Sequence, residues 1–140
     1  MRFAKYVFIG AAVWGVAVLT PFYWLVDVTG RRYLPPTEYP HFFYGFFDIT
    51  MAWQLAFFVI GTNPARFRPL MIPAIVEKFS YVLTLVVLYG HSRIAAADAQ
   101  AAIPDLILGI LFIVSFVKTR GRLRASEYSD HHASLHRRID

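Results

Sequence analysis

The chain contains no cysteine. Disulfides, thiolate metal centres, thiol nucleophiles and covalently attached c-type haem are therefore excluded, and the redox compartment leaves no mark on the sequence. Charge is scarce as well: charged residues make up 16% of the 140 positions against 57% hydrophobic ones, and mean hydropathy is +0.47. That balance is too apolar for a soluble domain of this length. No internal repeat and no low-complexity segment occurs, and the first half of the chain does not resemble the second, as the inverted halves of a secondary transporter would. The N-terminus lacks a signal-peptide cleavage site, because the run after Arg2 and Lys5 is too long, contains Pro21 and leaves through Phe22, Tyr23 and Trp24 rather than small residues. It reads as a retained helix.

What the sequence does have is four apolar runs, 6–26, 41–61, 72–89 and 102–117. Each is about the 17 to 25 residues that a spanning helix needs, and each is apolar nearly all round rather than along one stripe. The fold class they imply is an all-α integral membrane four-helix bundle over residues 1–118, followed by a basic tail over 119–140 that lies on a surface or stays unstructured. Ten basic residues (Arg2, Lys5, Arg66, Arg68, Lys118, Arg120, Arg122, Arg124, Arg137 and Arg138) fall on one side of such a bundle, and Arg31, Arg32 and Arg93 on the other. The formal charge of +5 is thus a matter of topology rather than nucleic-acid affinity. The positive-inside rule puts both termini in the cytoplasm, and a bacterial inner membrane is the expected location.

The connections carry their own signals. The stretch from Asp27 to Pro40, with Gly30, Pro35, Pro36, Tyr33 and Tyr39, is expected to form an ordered cap at a headgroup boundary. Thr62 to Pro69 is a short turn with two arginines placed to meet anionic headgroups, which predicts an antiparallel pairing of the second and third helices. Pro21 is expected to kink the first helix by freeing the carbonyl of Ala17. Pro104 suits the first turn of the fourth, where its missing N–H costs nothing.

Ionisable residues inside these runs are the candidate site, since hydrocarbon tolerates them only when paired, hydrated or used. Asp48 lies in a stripe with Gly45, Ala52 and Ala56, so the second helix is expected to turn this face into the bundle. Glu77, Tyr81 and Thr84 share a face of the third helix. Lys78 lies about 100° round from Glu77, which makes the two poor partners for each other. A lysine stem is long enough to reach across, so the pairing expected is Asp48 with Lys78. His41, Tyr44, Tyr89, His91, Asp98 and Asp105 form a second, outer-boundary cluster. Neither histidine stands in a metal or haem motif, so these residues read as interfacial groups, no metal site is expected and no cofactor is named. In the tail, His132 and His136 share helical spacing beside Asp130 and His131 without the glutamate of a zinc-protease motif, and read as solvated. On the first helix, Ala11 and Gly15 make a small-residue contact. The 13 Phe, 8 Tyr and 3 Trp suit packing first and a flat ligand second.

The loop Asn63-Pro64-Ala65-Arg66-Phe67-Arg68-Pro69, followed by a helix with a lysine at 78, resembles small four-helix bacterial membrane proteins of the DoxX-like or uncharacterised-family kind over residues 53–78. That resemblance implies an architecture and no catalytic residues. The function expected from the sequence is a non-enzymatic membrane protein that binds a lipophilic molecule or docks on other membrane subunits, with the lipid bilayer and not nucleic acid as its surroundings. The alternative is an enzyme or proton-coupled carrier for a hydrophobic substrate that uses Asp48, Glu77 and Lys78.

Overall fold

The computed structural model describes residues 1–23 and 40–136, with side chains through Arg120 except at positions 40 and 43. The cap expected around residues 27–40 falls mostly outside this range. Among the described residues every regular element is helical: α1 (Arg2–Leu19), α2 (Pro40–Thr62), a 3-10 turn (Arg68–Leu70), α3 (Met71–Gly90), the single-turn α4 (Ala96–Ala99) and α5 (Ala102–His136). Four helical segments are long and apolar enough to cross a membrane: Arg2–Leu19, Tyr44–Thr62, Arg68–Gly90 and Ala96–Arg120.

The ends follow from local chemistry. α1 begins a turn earlier than the apolar run, and its regular stretch ends at Leu19 because Pro21 has no N–H for the carbonyl of Ala17; after the turn at Thr20 and Pro21, Phe22 and Tyr23 are helical again, and residues 24–26 of the expected span lie outside the described residues. Thr20 closes the helix by donating its N–H and its hydroxyl to Val16 O, at 3.0 and 2.6 Å. After α2, the Asn63 side chain accepts the N–H of Arg66 at 3.2 Å and its carbonyl accepts that of Phe67, which forms the tight turn into α3. α3 ends in a Schellman arrangement: Arg93 N–H donates to Leu88 O and Ser92 N–H to Tyr89 O, both at 2.9 Å, with Ser92 in the left-handed region at φ 55°. Pro104 does sit in the first turn of α5.

α5 departs most from expectation. It does not stop at Val117; its backbone stays helical to His136 over 35 residues. At 1.5 Å per residue it is about 52 Å long, well beyond a hydrocarbon core of about 30 Å. Arg122, Leu123, Arg124 and Ala125 are good helix formers, and the lone Gly121 is too small a penalty to break the run. The side chains of Asp130, His131, His132 and His136 lie outside the description.

α1 packs along α2, α3 along α5, and α1 also touches α5, whereas α2 and α3 meet only slightly. The short turn between α2 and α3 therefore joins two helices that diverge, not the close hairpin its length suggested. In the first pair the backbones come close at Gly61, where a Cβ would lie 2.6 Å from Ile9 Cγ1 and 3.1 Å from Ile9 N. Ala4, Ala11 and Ala12 are buried on the matching face of α1. The stripe of Gly45, Ala52 and Ala56 does not serve this purpose: a Cβ at Gly45 would meet nothing within 4 Å, and Ala52 is exposed. The face of α2 that is buried carries Phe47, Gln54, Phe57 and Ile60 instead.

Where the start of α1, the α2–α3 turn and residues 112–119 of α5 meet, the bundle is filled. Phe8 stacks on Phe112 with ring centroids 4.2 Å apart, and Phe57 meets Phe112 edge-on at 5.0 Å. Ile60, Met71 and Ala74 complete this plug, every member of which is fully buried. Its polar members are satisfied within their own helix, Ser115 by Leu111 O at 2.8 Å and Thr119 by Ser115 O at 2.7 Å. Outside, large apolar side chains such as Val13, Ile49, Leu55, Leu83 and Ile107 are exposed. This is the surface expected of a bundle that meets lipid rather than water.

Candidate functional site

The divergence of α2 from α3 leaves a cavity of about 680 Å³ in the half of the bundle away from the termini. Its walls are mainly apolar and aromatic, with Trp14 and Phe22 from the α1 side, Phe46, Phe47 and Trp53 from α2, and Tyr81 from α3. Gly15 faces Gln54 across the wall, and a Cβ there would run into the Gln54 carboxamide, so the small residue at position 15 makes room for a polar one on α2. Gln54 is buried and donates through Nε2 to Thr50 O at 3.1 Å.

The floor holds an ion triad. Lys78 is 4% exposed, and its ammonium lies 2.8 Å from Asp105 Oδ1 and 3.3 Å from each carboxylate oxygen of Glu77. It also stands 5.3 Å from the centre of the Phe57 ring, which ties the triad to the plug beneath it. An ammonium this deep is tolerated because it has two carboxylates and a ring face around it. Asp105 is in the first turn of α5, where the helix dipole favours a carboxylate.

Two sequence expectations are corrected here. Lys78 pairs with Asp105 and not with Asp48, since α3 has α5 rather than α2 as its close neighbour. Lys78 also reaches Glu77 despite the angular offset, because its four-carbon stem folds back along the helix. Asp105 consequently leaves the outer-boundary cluster. His41 is exposed at the start of α2 with its ring against Phe42, and His91 is exposed at the end of α3. No group of three or more His, Asp or Glu with metal-binding geometry occurs among the described residues.

Asp48 is exposed, outside the cavity, and accepts a hydrogen bond from the Tyr23 hydroxyl at 2.8 Å. Beside it Phe22 stacks on Phe47 with centroids 5.2 Å apart, so the segment after α1 is fastened to α2 by a ring pair and a hydrogen bond. The Tyr23 phenol is held above its ordinary pKa of 10.0, first by donating to Asp48, then by desolvation and by the carboxylate's charge.

Glu77, Lys78 and Tyr81 thus share one site, which Asp105 joins and Asp48 does not. Trp53, Gln54, Thr50 and Ser80 also line it and carry no mark in the sequence, being ordinary residues until the divergence of α2 and α3 exposes them to a common space. Against family models, curated proteins and solved structures, the chain gives no match.

Proposed function

We propose that this chain is a multi-pass protein of the bacterial inner membrane, with both termini cytoplasmic, that holds a lipophilic molecule in the cavity between α2 and α3. The observation that carries this reading is the cavity itself: about 680 Å³, the size of a small-molecule site, with aromatic walls and a few convergent polar groups on its floor. The orientation rests on the excess of Lys and Arg at the end that carries the termini. The DoxX-like resemblance adds an architecture to this proposal and no reaction. An apolar body would lie against Trp14, Trp53, Phe46 and Phe47, and a polar end would meet Glu77, Lys78, Asp105 and Tyr81. Asp48 has no part in it.

Solvent extraction and mass spectrometry of protein purified in a mild detergent test the reading, with Thr84→Trp as the comparison. Thr84 lines the cavity yet is exposed, so a tryptophan there fills the space without disturbing the plug. Wild-type protein is expected to carry a lipid-soluble compound that the variant lacks. Equal recovery from both, or none from the wild type, overturns the proposal.

A further inference from the structure

The hydrogen-bonding groups of the cavity are unequally spent. Thr50 donates its hydroxyl to Phe46 O at 2.7 Å, Ser80 to Glu77 O at 2.9 Å and Thr84 to Ser80 O at 2.9 Å. Gln54 gives an amide N–H to Thr50 O. Lys78, the one cation lining the cavity among the described residues, is already committed to Asp105 and Glu77. The hydroxyls and carboxylates of the floor present acceptor lone pairs, and the remaining donors are the second amide N–H of Gln54 and the Trp14, Trp53 and Tyr81 groups of the walls. Glu77 Oε2 is itself buried and accepts no hydrogen bond, although it stands 3.3 Å from the ammonium. Among the described residues, two carboxylates around one lysine also leave the floor one formal negative charge in excess.

A buried acceptor without a donor and a charge without its full complement are both costly in a low-dielectric interior. Both are relieved by one kind of guest. We propose that the cavity takes a lipophilic organic cation, an amine with a hydrocarbon or aromatic body, whose ammonium donates to Glu77 Oε2. The aromatic walls suit the same guest, since Trp and Tyr faces attract cations and pack against its body. This assignment rests on the cavity being a site for a lipophilic molecule, and it names the charge and donor character of that molecule. A lipophilic anion would meet the excess negative charge, and a group that only accepts hydrogen bonds would leave Glu77 as it is.

The test uses the full chain in nanodiscs of zwitterionic lipid and three probes of one chain length: dodecylammonium, dodecanol and dodecanoate. Tryptophan fluorescence and the thermal midpoint are followed as each is added. Dodecylammonium is expected to bind at least about tenfold more tightly than dodecanol, and dodecanoate more weakly than either. Glu77→Gln removes the excess charge and should shrink the amine-to-alcohol affinity ratio from at least about tenfold to near one. If dodecanol or dodecanoate binds as well as the amine, or if Glu77→Gln keeps the amine preference, the cation assignment is wrong and the lipophile site stands. If none of the three binds, both readings fall. The ranking on the wild-type chain decides the matter even if Glu77→Gln folds poorly.

Discussion

The two halves of this bundle are built from the same four helices and similar side chains, yet one is solid and the other hollow. Near the termini, Phe8, Phe57 and Phe112 close on one another and Gly61 lets α1 and α2 approach. In the far half α2 leaves α3, and aromatics of the same kind line a cavity instead of filling it. The difference lies in whether the helices converge, not in composition. The single buried ammonium stands at the border, with its ring contact in the plug and its carboxylates in the cavity.

That contrast can be broken first where it is strongest. Phe112→Ala should destabilise the protein by about 3–5 kcal/mol, because the plug has no room to collapse around the missing ring; denaturant unfolding in detergent measures it. Asp105→Asn comes next, at about 1.5–3 kcal/mol, since it replaces the 2.8 Å charge-assisted partner of the buried ammonium and leaves Glu77 as its counter-charge. Thr84→Trp and Asp48→Asn should leave the unfolding midpoint near that of the wild type, the first because it sits in open space, the second because Asp48 is exposed and an asparagine oxygen still accepts from Tyr23.

A finer probe is the titration of Tyr23. Its raised pKa means that the Asp48 bond is complete below pH 10.0 and is lost as pH climbs through the higher folded value. Ultraviolet difference spectra should show Tyr23 ionising earlier in Asp48→Ala than in the wild type. The smallest measurable shift in stability is expected at Ser92, where φ 55° suits glycine: Ser92→Gly should gain about 0.5–1 kcal/mol in the same unfolding assay.

The number of helices was legible in the sequence because runs of apolar residues are a strong signal, and Glu77, Lys78 and Tyr81 were legible because charge inside such a run needs a reason. The partner of Lys78 was not. Asp105 looks like a boundary residue when counted along the chain, and only the packing of α3 on α5 brings it to the ammonium. The stripe around Asp48 misled for a related reason: small residues permit close approach without requiring it, and here Ala4, Ala11 and Ala12 on α1 provide the contact. The reach of α5 past Val117 was hidden because loss of hydrophobicity marks the edge of a membrane, not the end of a helix.

The absence of cysteine makes the contrast between the halves directly measurable. Ser80 lines the cavity and Ser115 is buried in the filled half, and each can be replaced by cysteine, alone, in an otherwise thiol-free chain. Labelling rates with a small methanethiosulfonate reagent should be fast at Ser80→Cys and negligible at Ser115→Cys, and dodecylammonium should slow the first. Equal rates at the two positions would contradict the division of the bundle into a plug and a cavity.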